Sequence, residues 1–105
     1  MVIRIRANLT WVIFRDKKSK YWVGVCAPLK ISSQGEDLND LRANIEDALN
    51  LMLHDLASKN ELDAFLREHN WTLQGKLPER RADARFEIPY QLSRRNQHDL
   101  EGVLD

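Results

Sequence analysis

The side chains that could carry chemistry are few and far apart in this sequence of 105 residues. The histidines, His54, His69 and His98, lack the short spacing that places two metal ligands on one helical face. Neither Cys26 nor any serine has a neighbouring base arranged to activate it as a nucleophile. The four glycines are scattered, so no phosphate-binding loop is expected. We therefore expect no catalytic residue, no metal site and no cofactor, and we interpret Cys26 as a packing residue.

Carboxylates are concentrated in the middle of the chain, whereas basic residues prevail before and after it, although the net charge is zero. One interpretation is a solvated face, which is the ordinary role of surface charge. The other is an acidic surface that steers a basic partner protein. The candidate partner-binding residues are Asp40, Asp47, Asp55, Glu61 and Asp63.

Arginine pairs give the sequence a second class of function to consider. The arginines that could contact nucleic acid are Arg80, Arg81, Arg94 and Arg95. Basic loops on a neutral protein are usually just solvated, and no basic face interleaved with aromatic residues accompanies these. Binding of DNA or RNA is therefore the alternative, not the leading expectation.

The stretch from Gly35 to Leu56 predicts a long amphipathic helix. Asp37 is positioned to cap its first free N–H groups. Leu51 falls off the apolar stripe, and His54 is expected on the outer face. The residues of the stripe recur at spacings of three and four: Leu38, Leu41, Ile45, Ala48, Leu49, Met52, Leu53 and Leu56.

Alternation of apolar and polar residues predicts strands before this helix. One strand is expected from Ile3 to Ile13, a second from Tyr21 to Ala27 in an antiparallel hairpin with the first, and a third from Lys30 to Gln34. Gly35 is expected to give the backbone freedom for the entry into the helix.

After the long helix, Asn60 is expected to cap a short second helix. Alternation then predicts a strand from Trp71 to Leu77 and a last one from Phe86 to Leu92, with Pro89 restricting the latter to a sheet edge. Because a small sheet has unpaired edges, we expect a homodimer, with Phe86, Ile88 and Tyr90 as the candidate oligomer interface.

These elements predict an α+β fold, with an antiparallel sheet and a β-β-β-α core. One long helix packs on the sheet, followed by a second short helix and C-terminal strands. We expect one domain over residues 1–92 and a flexible tail over 93–105. Arg4 and Arg6 interrupt the only candidate leader segment, and no run has membrane-spanning length. With a lone cysteine, this favours a cytoplasmic location.

A hairpin, a third strand and a long helix also begin a ribonuclease H-like domain, whose chemistry uses carboxylates on neighbouring elements to hold two metal ions. The three predicted strands contain no carboxylate, since Asp16 falls in a turn and Glu36 and Asp37 fall at the helix start. We therefore expect that the protein is not an enzyme.

The order of these segments resembles the HicB-like antitoxin family. The resemblance rests on Trp11–Asp16, on Tyr21–Pro28, on Ile31–Gly35 and on the acidic-capped helix, and extends more weakly to Phe86–Tyr90. It implies a degenerate ribonuclease H-like fold that binds and neutralises a small, basic, mRNA-cleaving toxin of the HicA type by occlusion. Family members often carry a separate DNA-binding domain, for which too little chain remains after Leu92.

Overall fold

A computed structural model of the protein describes residues 1–76 and 84–95, which form two compact units. Of the described residues, the three-stranded unit comprises 1–8, 46–76 and 84–89, and the four-stranded unit comprises 9–45 and 90–95. The elements are β1 Val2–Arg6, β2 Thr10–Arg15, β3 Trp22–Cys26, β4 Ile31–Gly35, α1 Leu38–Ser58, α2 Leu62–Glu68, β5 Thr72–Gln74, β6 Arg85–Glu87 and β7 Gln91–Arg94, with a 3-10 turn at Ala27–Leu29. The predicted α+β class is confirmed.

The four-stranded unit contains the predicted hairpin and third strand. Its strand order is β4-β3-β2-β7; β2, β3 and β4 are antiparallel in succession, and β7 runs parallel to β2. The first turns of α1 pack on β3, because a Cβ placed on Gly24 would lie 3.3 Å from Ile45 Cδ1 and 3.5 Å from Leu41 Cδ1. Leu41, Ile45 and Trp11 are each 0% exposed, so they form the centre of this unit's core.

The entry into α1 is fixed by a cap and by close backbone packing. Asp37 Oδ1 accepts a hydrogen bond from Asp40 N at 2.7 Å, which confirms the predicted cap. A Cβ on Gly35 would lie 2.4 Å from Leu41 N, so glycine is required here by lack of space. The expectation that Gly35 supplies backbone freedom is replaced by this steric reason.

The three-stranded unit has the order β5-β1-β6, with β1 antiparallel to β5 and parallel to β6. Leu49 and Leu53 of α1 are 1% and 0% exposed, as the apolar stripe predicts, whereas Leu51 is 68% exposed. Asn50 Oδ1 accepts a hydrogen bond from Phe86 N at 2.7 Å and so joins α1 to β6.

Both helices end in the same way, at an asparagine with left-handed backbone. Asn60 has φ 58° and Asn70 has φ 58°. Beyond them, Glu61 N donates to Leu56 O and Trp71 N donates to Leu66 O, each at 2.8 Å. These are Schellman terminations, in which an i+5 amide bonds back to the last turn. Asn60 therefore ends α1, and the prediction that it caps α2 is wrong; Glu61 holds that position.

Two predicted strands are each divided in two. The run from Ile3 to Ile13 forms β1 and β2, and the run from Phe86 to Leu92 falls into β6 and β7 on either side of Pro89. The halves pair with different strands, so both sheets are mixed and not purely antiparallel. The strand predicted from Trp71 to Leu77 is shorter, Thr72–Gln74, and Leu77 lies outside the described residues. Strand β7 continues to Arg94, and residues 96–105 of the predicted tail also lie outside them.

Candidate functional site

The five candidate partner-binding carboxylates are all exposed. Asp40 lies in the first turn of α1, in the four-stranded unit, where its Oδ2 accepts a hydrogen bond from Glu36 N at 2.9 Å. Asp47, Asp55, Glu61 and Asp63 belong to the three-stranded unit, on α1 and at the start of α2. One candidate therefore belongs to the four-stranded unit and the other four belong to the three-stranded unit.

Two of these carboxylates form ion pairs at the surface. Asp47 Oδ1 lies 3.2 Å from Arg85 Nη2, and Asp55 Oδ2 lies 2.9 Å from Lys59 Nζ. The hydrogen bond from Lys59 to Asp55, together with the carboxylate charge, raises the pKa of the Lys59 ammonium. Within the described residues no ion pair is made by Asp40, Glu61 or Asp63, although the charge of Glu61 also contributes to the raised pKa of Lys59.

The candidate oligomer interface is largely covered by the chain itself. Phe86 is 2% exposed and Ile88 is 7% exposed, while Tyr90 is half-buried. The Phe86 ring lies edge-on to His54, with 5.0 Å between ring centroids. Phe86 and Ile88 thus belong to the core, and their apolar surface no longer argues for a second copy.

His54 does not lie on the outer face of α1, where the helical pattern places it. It is half-buried, and its Nε2 is hydrogen-bonded to the Ala84 carbonyl oxygen. The histidine therefore contributes to the packing of the segment before β6. The apolar stripe alone could not show this, since the contact depends on a residue 30 positions further along the chain.

Cys26 is a free thiol with no exposed surface. Burial raises the pKa of this thiol, and a backbone hydrogen bond at Leu29 only partly opposes that effect. A thiol held in the protonated form is a poor nucleophile and a poor metal ligand. Its packing role is the one the sequence predicts.

A two-metal nuclease of this topology carries acids on neighbouring strands. No aspartate or glutamate occurs in β2, β3 or β4. Among residues 1–76 and 84–95, no group of three or more histidine, cysteine, aspartate or glutamate side chains is placed to hold a metal ion.

The arginines considered for nucleic-acid contact have different outcomes. Arg80 and Arg81 lie outside the described residues, whereas Arg94 ends β7 and Arg95 follows it. The Arg94 guanidinium carbon lies 4.9 Å from the centroid of the Trp22 ring. Sequence reasoning missed this aromatic neighbour, because Trp22 and Arg94 are far apart in the chain and meet only through the strand pairing.

Comparison of the chain with protein-family models, with curated protein sequences and with solved structures finds no match. In the part of the chain that the structure describes, neither helix has the length and apolar character needed to cross a bilayer. Function must therefore be argued from the fold and the placement of charge.

Proposed function

We propose that this protein acts by stoichiometric binding, as an antitoxin-like partner in a type II toxin–antitoxin pair of the HicB kind. Its target would be a small, basic, mRNA-cleaving toxin of the HicA type, which it would neutralise by occluding the RNA-cleaving site. The proposal places both proteins in the cytoplasm and assigns no catalytic step to this chain.

The observation that carries the proposal is a β-β-β-α unit without carboxylates on its strands. Strands β2, β3 and β4 and the start of α1 follow the order on which the family resemblance rests. A nuclease of this topology would need acids on these strands to hold metal ions. The acids lie instead at the exposed surface of α1 and α2, where they can meet a partner.

Electrostatics supports a basic partner at this surface. A toxin that grips RNA must carry positive charge, and Glu61 and Asp63 make no ion pair within the described residues. Asp47 and Asp55 would have to give up their ion pairs with Arg85 and Lys59 to pair with basic groups of the toxin. Their net contribution to affinity is therefore smaller than that of Glu61 and Asp63. Such charges act mainly on the association rate.

The deciding experiment co-expresses this chain with the small basic protein encoded next to it. We expect that protein to arrest growth alone, and we expect growth to return, with a complex recovered on purification, when both are made. A neighbour that is harmless alone, or that stays toxic and unbound beside this chain, would contradict the proposal.

Charge variants test where the partner binds. The double variant Glu61→Gln, Asp63→Asn should associate several-fold more slowly with the toxin at low salt and little more slowly at high salt, because salt screens exposed charges. The matched control, Glu36→Gln with Glu87→Gln, also removes two exposed carboxylates but from elsewhere in the chain. If association slows equally in both double variants, Glu61 and Asp63 are not part of the surface that binds the toxin.

A further inference from the structure

Strand pairing in the four-stranded unit gathers basic residues at one end of its sheet. Arg15 at the end of β2 is paired with Trp22 at the start of β3, and Arg94 at the end of β7 is paired with Ile13. The turn between β2 and β3 lies at the same end. We call this group the basic sheet end: Arg15, Lys17, Lys18, Lys20, Arg94 and Arg95, all exposed.

The β2–β3 turn is held in a defined shape by Asp16. The Asp16 carboxylate accepts hydrogen bonds from Ser19 N at 2.9 Å and from Ser19 Oγ at 2.7 Å, and Asp16 N donates to Tyr21 O at 2.8 Å. Arg15 Nε donates to Lys20 O at 3.3 Å. The Asp16 carboxylate therefore accepts these hydrogen bonds from within the turn, which also carries the exposed Lys18 and Lys20.

Aromatic side chains accompany the bases. Tyr21 is 39% exposed. The Trp22 ring is half-buried, and the guanidinium carbon of Arg94 lies over it, 4.9 Å from the ring centroid. Stacking on the ring limits the rotamers of the arginine side chain and leaves its N–H groups free to point at an anion. The aromatic residues of the basic face are thus Tyr21, just before β3, and Trp22, the first residue of β3.

Charge is separated strongly within this unit. Its described residues include eight basic and four acidic side chains, a net charge of +4, although the whole chain is neutral. Three of the acids, Glu36, Asp37 and Asp40, follow β4, whose last residue, Gly35, pairs with Trp22, so they lie at the same end of the sheet but at the edge opposite β7. Positive potential is therefore concentrated on the side formed by β2 and β7.

We propose that the basic sheet end binds single-stranded nucleic acid, with the lysines and arginines contacting phosphates and Tyr21 stacking on a base. A basic groove with aromatic platforms is how proteins bind single strands without reading sequence. A duplex hides its bases and would gain nothing from the exposed tyrosine. This site is independent of toxin binding, and it uses the β2–β3 turn in addition to the C-terminal arginines.

The test is fluorescence anisotropy of the full chain with labelled oligonucleotides of about 12 nucleotides, a length within the usual range of such sites. The probes are oligo-U RNA, oligo-dT DNA and a DNA duplex. We expect both single strands to bind more tightly than the duplex, with a log–log salt slope of about −2 to −3 if three or four phosphates are neutralised.

Paired variants separate charge from stacking. Lys18→Ala with Arg95→Ala should weaken binding by about tenfold to a hundredfold at 50 mM salt and reduce the slope by about 1.4. The matched control, Arg6→Ala with Lys76→Ala, removes two exposed bases from the three-stranded unit and should change little. Tyr21→Ala should weaken binding about fivefold or more without changing the slope, and Tyr21→Phe should preserve it.

Three results would overturn the proposal. One is no anisotropy change at low salt with the wild-type chain. The second is an equal loss in the control variant, which would show attraction to total charge and not to this site. The third is binding of the duplex as tight as that of the single strands together with no effect of Tyr21→Ala.

Discussion

At Gly35 the absence of a side chain allows the end of β4 to pack directly against the backbone of α1. A Cβ there would meet Leu41 N at 2.4 Å and Asp40 C at 2.8 Å, and backbone atoms cannot move aside as side chains do. Gly24 is also enclosed, but its nearest neighbours are the side chains of Ile45 and Trp11 at 3.3 Å. The two glycines therefore differ in what an added methyl group would displace.

We expect Gly35→Ala to lower the free energy of unfolding by about 3 kcal/mol or more, and Gly24→Ala by about 1 kcal/mol, because only the second clash can relax through side chains. Urea unfolding followed by circular dichroism measures both. The opposite order of the two losses would show that the β4–α1 junction is looser than described.

Cys26 gives a pH dependence with a definite sign. Burial raises the pKa of the thiol in the folded state, so the folded protein holds this proton where the unfolded chain releases it. The resulting stability is complete below the unfolded pKa, about 8.5, and is lost as pH rises through the folded value. We expect the free energy of unfolding to fall more between pH 8 and pH 10 in the wild type than in Cys26→Ala. Equal falls would mean that the thiol titrates as in the unfolded chain.

At the scale of elements, α1 was the most predictable part of the chain. Residues at spacings of four, namely Leu41, Ile45, Leu49, Leu53 and Ala57, form its fully buried line. We expect Leu49→Ala to cost about 2 to 5 kcal/mol, because it leaves a cavity in the core. Leu51→Ala, its matched control on the exposed face, should cost less than about 0.5 kcal/mol. If thermal or urea unfolding shows equal losses of stability in the two variants, the buried face of α1 has been assigned wrongly.

The terminations of α1 and α2 predict a second effect at this scale. Alanine at Asn60 would have to adopt the left-handed region without the local hydrogen bonding that asparagine offers, so Asn60→Ala should cost about 1 kcal/mol. Asn60→Gly should cost nothing, since glycine accepts φ 58° freely. Asn39→Ala, in the first turn of α1, is the control and should be neutral. A loss in the glycine variant would point to a role for the Asn60 amide itself.

The strands were less predictable, for a physical reason. Alternation reports which face of a strand is buried, and it continues unchanged from Ile5 through Ala7 and Leu9 to Trp11 although the pairing partners change there. Partner choice depends on residues more than 60 positions away, which no local pattern contains. The same limit hid the basic sheet end, because Arg94 reaches Trp22 only through its register with β2.

At the scale of the whole molecule, the homodimer remains a prediction, now argued from β7. Gln91 N and Arg95 N donate to Leu9 O and Ile13 O, so the Leu92 amide points away from β2. Strand β7 is an edge of its sheet as the described residues define it. We expect a dimer that pairs these edges, and Leu92→Pro, which removes the outward amide, should dissociate it.

Sedimentation velocity at several concentrations measures that change. Leu92→Ala is the control, because it shortens the same side chain but keeps the amide, and it should remain dimeric. A monomeric wild type at about 100 μM, or a dimeric Leu92→Pro, would contradict dimerisation through this edge.

The pairing of β1 and β2 with late strands has a consequence for how the chain folds. The hairpins of β2, β3 and β4 close over short turns, whereas Val2 pairs with Arg85 and Thr10 with Gln91, more than 80 residues away. Loop closure makes such distant contacts slow to form, so the local hairpins should assemble first. During synthesis β1 emerges before both of its neighbours, β5 and β6, with which it pairs. In that interval Ile3 and Ile5 lie on an unpaired strand, which exposes β1 to mispairing with other chains and to capture by chaperones.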